Sequence, residues 1–165
     1  MREDEILERL NGGDASALDE LVRAYYPDIL RYCRRHTPDE ASAEDAAQET
    51  FLKAVRHLDA HAFRGRFRAW LYKIAANTCA DRCRRETPAE PLSDSPYIDP
   101  GFERTELGID LRSALAALPE AQREVVLLRY VHGLKLREAA EVLGVPLRTA
   151  QSRERAALKA MKKLL

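Results

Sequence analysis

Glycine is scarce, with seven in 165 residues, and no run of β-branched residues alternates with polar ones between turn residues. A sheet therefore has nothing to start from, and helices are expected throughout. No apolar run approaches the roughly 20 residues needed to cross a bilayer. The opening stretch MREDEILERL has neither the apolar centre of a secretory signal nor the Arg-rich, acid-poor bias of a transit peptide. The expectation is a cytoplasmic protein with no membrane contact. Three cysteines, an odd number, argue against a disulfide framework. Cys79 and Cys83 are four apart, yet no CxxC or HxxxC nearby completes a metal set, so they read as small buried or half-buried thiols. His57 and His61 likewise lack carboxylates or cysteines at ligand spacing. No Gly-rich phosphate loop, paired-carboxylate cleft, Ser-His or Cys-His arrangement can be placed, so neither an enzyme nor a metal or cofactor is expected.

Net charge is absent too, at zero, but only as an average. Residues 1–60 carry 8 basic and 14 acidic side chains, and residues 61–85 carry 7 and 1. Residues 86–144 carry 6 and 11, and residues 145–165 carry 6 and 1. Two basic islands in an acidic chain predict two separate contacts with a polyanion.

The chain begins with a short acidic helix, Glu3 to Leu10, stopped by Asn11-Gly12-Gly13. Asp14 can cap a helix over Ala15 to Ala24, and Pro27 is expected to open another that ends in Arg34, Arg35 and His36. Ser42 with Asp45 makes a capping box for a helix from Ala43 to about His57. On it, Asp45, Gln48, Glu49 and Leu52 form a polar ridge separate from Ala46, Val55 and, in part, Phe51. Periodicity alone makes that ridge a solvated face.

A loop, Leu58 to Arg64, leads into the first basic island. Phe67, Trp70, Leu71, Ile74 and Thr78 recur at the period of one buried helical face. At about 100° per residue, Arg66, Lys73 and Arg84 fall within roughly 20° of one another, a cationic rail beside that stripe and suited to a phosphate backbone. A solvated face on a structural helix is the competing reading.

Glu86 to Gly108 holds Pro88, Pro91, Pro96 and Pro100 with almost no apolar periodicity, the composition of a semi-extended linker. From Ile109, Leu111, Ala114, Leu115 and Leu118 make one helical face, and Pro119 opens a helix ending at Val131. Leu136 to Leu143, the turn Gly144-Val145-Pro146 and the basic helix from Leu147 give a helix-turn-helix pattern. Arg148, Gln151, Ser152 and Arg155 recur on one side of the last helix, with Ala150, Ala157, Leu158 and Met161 packing in part on the other. Arginine and glutamine near a helix amino end are the side chains that form paired hydrogen bonds with guanine and adenine edges. The fold class expected is all-α: two small helical domains, residues 1–86 and 109–165, joined by a flexible linker over 87–108.

The stretch Asp45-Ala46-Ala47-Gln48-Glu49-Thr50-Phe51-Leu52, then Phe67 to Ala75 with Asn77 and Asp81, then Leu118-Pro119 and the hairpin ending at Ala156, resembles the bacterial extracytoplasmic-function (ECF) sigma factors over nearly the whole chain. The resemblance implies a transcription initiation subunit with a sigma region 2 bundle and a sigma region 4 helix-turn-helix. It implies that Asp45, Gln48, Glu49 and Leu52 dock on the clamp of the largest subunit of core RNA polymerase, overturning the solvated-face reading. It further implies that the loop and the helix after it, through Phe63, Arg64, Arg66, Lys73, Asn77 and Arg84, capture the unpaired minus-ten strand of promoter DNA. Arg148, Thr149, Gln151, Ser152, Arg153 and Arg155 would read the minus-thirty-five element, and an anti-sigma factor would control the protein.

Trapping extruded bases must offset unstacking that costs a few kcal/mol per base. Phe63, in the loop, suits stacking, whereas Phe67 and Trp70 lie on the apolar stripe and suit the core. Asn77 and Asp81 fit either DNA contact or bracing of the helix. Family members usually carry valine then lysine before Ser-Arg, where this chain has Ala150 and Gln151; Glu154 also departs, and beside a phosphate it would be repulsive. A sigma-like decoy that only sequesters an anti-sigma factor should lack cations on the last helix. A dimeric helix-turn-helix repressor would need neither the ridge nor the first basic island.

Overall fold

The structure, a computed structural model, describes residues 3–57, 66–86 and 106–164. The described residues are helical or in short turns, so the all-α expectation holds. Two compact units divide the chain, Met1–Leu92 and Ser93–Leu165.

The first unit contains α1 (Glu3–Asn11), α2 (Ala15–Arg35), α3 (Glu40–Arg56) and α4 (Phe67–Glu86). Ile6 and Leu7 bury α1's apolar side. Arg9 fixes its end, donating to Asp14 Oδ2 at 2.9 Å and to Glu20 Oε2 at 2.6 Å. The two helices expected on either side of Pro27 are one, with Pro27 inside α2. An interior proline costs about 3 kcal/mol through a lost hydrogen bond and a clash. Here Pro27 sits on the exposed side, while Leu21, Ile29, Tyr32 and Cys33 hold one continuous buried face across it.

Helix α3 starts earlier than its expected capping box. Asp39, in extended backbone, accepts the Ser42 amide at 2.7 Å and is the N-cap, so the helix begins at Glu40. Glu40 then takes a two-pronged bond from Arg34 of α2, 2.9 Å from Nε to Oε2 and 2.7 Å from Nη2 to Oε1. Ala43, Ala46, Ala47 and Ala54 let α3 approach its neighbours, and aromatic pairs fill the remainder: Tyr25 with Phe67, Tyr26 with Phe51, Tyr32 with Tyr72. Val55, expected inward, is 43% exposed.

The second unit contains α5 (Glu106–Ala117), α6 (Glu120–Val126), α7 (Leu136–Leu143) and α8 (Leu147–Leu164). Both ends of the stretch read as linker are helical: α4 takes Glu86, and α5 begins three residues before Ile109; residues 87–105 lie outside the described residues. Arg123 of α6 donates to the carbonyls of Leu115 at 3.0 Å and Leu118 at 2.8 Å, capping the end of α5. Leu115, Leu118, Val126, Leu127, Ala157 and Met161 form the core. Helix α6 runs on as a wider π-helical turn over Leu127–Val131, where one ordinary helix was expected.

Candidate nucleic-acid and polymerase interfaces

On α3, Asp45, Gln48 and Leu52 are exposed and Glu49 is half-buried, with Leu52 59% exposed. The ridge is therefore a surface, yet its acids are engaged by Arg82 of α4 and by Lys53 of α3 itself. Arg82 lies 3.6 Å from Asp45 and 3.4 Å from Glu49, and Lys53 bridges Glu49 at 3.5 Å while donating to Thr78 Oγ1 at 3.2 Å. Sequence reasoning missed Arg82. Its signal was the spacing 71, 75, 78, 82, which places it on the inward stripe.

That stripe is rotated from its expected position. The buried residues of α4 are Phe67, Ala69, Leu71, Tyr72, Ala75, Thr78 and Cys79, while Trp70 and Ile74 are half-buried. At about 100° per residue the buried face centres roughly 70° from Phe67, so the Arg66, Lys73 and Arg84 edge falls on the opposite side rather than beside it. The difference arises because tyrosine and small residues, Ala69, Ala75 and Cys79, pack against α2 and α3 as readily as the large apolar ones. Arg66, Asn77 and Arg84 are exposed and Lys73 is half-buried; Arg84 also pairs with Asp81 along the helix. Phe63 and Arg64 lie outside the described residues.

Buried polar groups in this unit include thiols, hydroxyls and guanidinium nitrogens of Arg35 and Arg82. Cys33 of α2 and Cys79 of α4 share a hydrogen bond, and that bond, then burial, pushes the Cys33 thiol far above the ordinary cysteine range. The hydrogen-bond partner of Cys79 is thus Cys33, across the helix interface. No group of three or more His, Cys, Asp or Glu suited to a metal occurs among the described residues.

In the second unit Gly144 adopts φ 67° as the C-cap of α7, and Val145 donates its amide to the Ala140 carbonyl at 3.0 Å. Only glycine takes that left-handed conformation cheaply, which fixes where the turn falls. The Pro146 carbonyl accepts from Thr149 and Ala150 at the start of α8. Ala150, Ala157 and Met161 are buried, leaving Arg148, Gln151, Ser152 and Arg155 exposed together on one face. Thr149 is half-buried on its flank, roughly 110° round from the centre of that face, and Arg153 is half-buried nearly behind it, roughly 150° round. Leu158, expected to pack inward, is 43% exposed. Glu154 lies on the flank of that face, bordering a shallow groove with Gln151, Arg155 and Leu158, and accepts from Arg129 Nε at 3.1 Å and from the Tyr130 hydroxyl at 3.0 Å.

The Sigma-70 region 2 family matches residues 21–88, and the Sigma-70 region 4 family matches residues 109–161. Similar proteins include the ECF RNA polymerase sigma factor SigW of Bacillus subtilis, 27% identical over 176 residues, 96% of this chain and 94% of that protein. The ECF RNA polymerase sigma factor SigD of Mycobacterium tuberculosis is 36% identical over 157 residues, 87% of this chain and 74% of that one. Among solved structures, CnrH in complex with the cytosolic domain of CnrY has a TM-score of 0.68 at 25% identity, covering 98% of this chain and 96% of its own. The sigma factor RpoE in complex with the anti-sigma factor NepR, from Bartonella quintana, has a TM-score of 0.68 at 22% identity over 88% of this chain and 94% of its own, a likeness of fold.

Proposed function

The chain belongs to the ECF RNA polymerase sigma factors, non-enzymatic transcription initiation factors, and from that premise we propose that it binds core RNA polymerase in the cytoplasm and directs it to particular promoters. The observation that carries this reading is the shared exposure of Arg148, Gln151, Ser152 and Arg155 on one face of α8. A decoy without DNA contact has no use for such a face. In this reading α8 lies in the major groove of the minus-thirty-five element, while the Arg66, Lys73, Asn77 and Arg84 side of α4, with Phe63 and Arg64, takes the minus-ten strand.

Asp45, Gln48, Glu49 and Leu52 are the proposed polymerase contact. Arg82 and Lys53 lower the charge of that surface without abolishing it, because pairs this exposed are weak and screened by salt. The sigma region 2 part is proposed to span residues 1–86 and the region 4 part residues 109–165. Control by an anti-sigma factor is proposed by likeness to RpoE, whose solved structure contains one.

The test is run-off transcription with purified core polymerase, the full chain and genomic fragments. Specific transcripts that depend on the chain are expected. A chain that joins core polymerase yet yields no specific transcript would overturn promoter direction.

A further inference from the structure

Glu154 stands where a carboxylate is least expected, on a helix whose neighbouring side chains suit phosphate and base edges. Its side chain is only 13% exposed. Two side chains from the π-helical turn hold it: Arg129 Nε at 3.1 Å and the hydroxyl of Tyr130 at 3.0 Å. The same Arg129 sends Nη1 toward the Leu134 carbonyl at 3.4 Å, in the segment leading to α7, and its guanidinium lies 5.6 Å from the centre of the Tyr130 ring. One cation therefore ties together the end of α6, the approach to α7 and the middle of α8.

Consecutive residues of a helix point about 100° apart, yet the long side chains of Arg129 and Tyr130 both reach Glu154 Oε1. They do so from a π turn. The His132 amide bonds back to Leu127 at 3.1 Å, closing the wider ring, and such turns recur at functional sites. Tyr130 itself is 58% exposed, so its contact with Glu154 is a polar tether at the surface and not core packing. That hydrogen bond also pushes the Tyr130 phenol above its ordinary range, keeping the hydroxyl a donor.

Ala150, Ala157 and Met161 fix how closely α8 approaches its neighbours, but small residues specify its rotation weakly. We infer that Glu154, clasped by Arg129 and Tyr130, is a positioning residue that sets the rotation of α8 and so the aim of Arg148, Gln151, Ser152 and Arg155 at base edges. This deepens the proposed reading of α8 and rests on it. It also explains how an acid is accommodated beside Gln151 and Arg155: its charge is paired with Arg129.

The test uses holoenzyme, the full chain with core polymerase, and promoter fragments randomised in the upstream element, read as enrichment of selected over unselected sequences. Glu154→Ala is expected to lower that ratio about tenfold, the loss of roughly one base contact, while binding to unselected DNA stays level or rises. Glu154→Gln, which keeps both acceptor bonds, should retain most of the ratio. Arg129→Ala combined with Glu154→Ala should be no worse than either alone.

If Glu154 merely repels phosphate, Ala and Gln variants bind all sequences more tightly at an unchanged ratio, and the inference is wrong. Should Glu154→Ala fail to fold, Tyr130→Phe, on an exposed ring, decides the matter: a lowered ratio supports the clasp and an unchanged one rejects it. If the unaltered holoenzyme selects no sequence, the reading of α8 itself falls, and the clasp with it. Selection by the unaltered chain with an undiminished ratio in Glu154→Ala removes the clasp alone.

Discussion

Arg82 of α4 reaches Glu49 of α3 at 3.4 Å, joining the surface proposed to meet polymerase to the helix proposed to meet single-stranded DNA. The arginine is 21% exposed and the glutamate 29%, so the pair is partly desolvated and spans two helices. Loss of Arg82 leaves Glu49 with Lys53 alone, at 3.5 Å. Arg82→Met is therefore expected to destabilise the first unit by about 1 kcal/mol, discounted for solvent. Affinity for core polymerase should hold or rise, because Asp45 and Glu49 become more available. Asp45→Arg with Glu49→Arg should instead abolish core binding while leaving affinity for upstream DNA intact. Titrating labelled core polymerase with each variant checks both, and equal loss of polymerase and DNA binding in the double variant would refute the division of roles.

Arg148 makes the complementary case. It is exposed on the first turn of α8 and contributes nothing to the core, so Arg148→Ala should fold normally. Losing one paired contact to a base costs about 1–3 kcal/mol, roughly five- to 150-fold in affinity for the selected upstream element. Affinity for core polymerase should not change. Filter binding of the holoenzyme against elements altered at single positions would locate the base that Arg148 reads, since discrimination should collapse at that position alone.

Much of this was legible in the sequence, and the failures have physical causes. The reader face of α8 followed from arginine and glutamine at helical spacing, because long polar side chains have no place in a small core. The turn followed from Gly144. Helix α4 misled because its buried face is built partly from alanine, cysteine and tyrosine, which carry a weak periodic signal, whereas Trp70 and Ile74 remain half-buried. Pro27 read as a helix start although burial on both sides of it outweighs a local penalty. The roles of Arg82 and Arg129 depend on helices brought together by folding, 33 residues from Glu49 to Arg82 and 25 from Arg129 to Glu154, beyond what spacing along one helix can report.

Acid should weaken the first unit before it touches the second's core. Asp39 is held below the ordinary carboxylate range by its bond to the Ser42 amide, Glu40 by its bond to Arg34, and Asp14 by its bonds to Ser16 and Arg9. A carboxylate depressed by folding contributes stability above its unfolded pKa, and that contribution is lost as pH falls through the folded value. The melting temperature of the first unit should thus be flat near neutrality and fall below about pH 4. Asp39→Asn, which keeps a capping oxygen without the titrating charge, should flatten part of that fall. Asp39→Ala should lower the melting temperature at every pH. Circular dichroism melts from pH 3 to 7 separate the two, and an identical acid slope in unaltered chain and Asp39→Asn would exclude Asp39 as a contributor.

The thiols give a direct check on how α4 is rotated. Cys33 and Cys79 are buried at the α2 and α4 interface and share a hydrogen bond, whereas Cys83, one turn beyond Cys79, is only half-buried. The attacking species in alkylation is the thiolate; the bond to Cys79, then burial, pushes the Cys33 thiol away from it, while the same bond lowers the Cys79 thiol, which burial alone shields from reagent. Native protein should therefore react at Cys83 within minutes, while Cys33 and Cys79 wait for opening of the helix packing. Cys83→Ser should remove the fast phase and leave the melting temperature unchanged, whereas Cys33→Ser puts a stronger polar donor into an apolar contact and should lower it. Labelling followed by mass spectrometry assigns each site. Fast modification of Cys79 in the folded chain would mean that this side of α4 faces solvent, and the rail of Arg66, Lys73 and Arg84 would then have to turn inward.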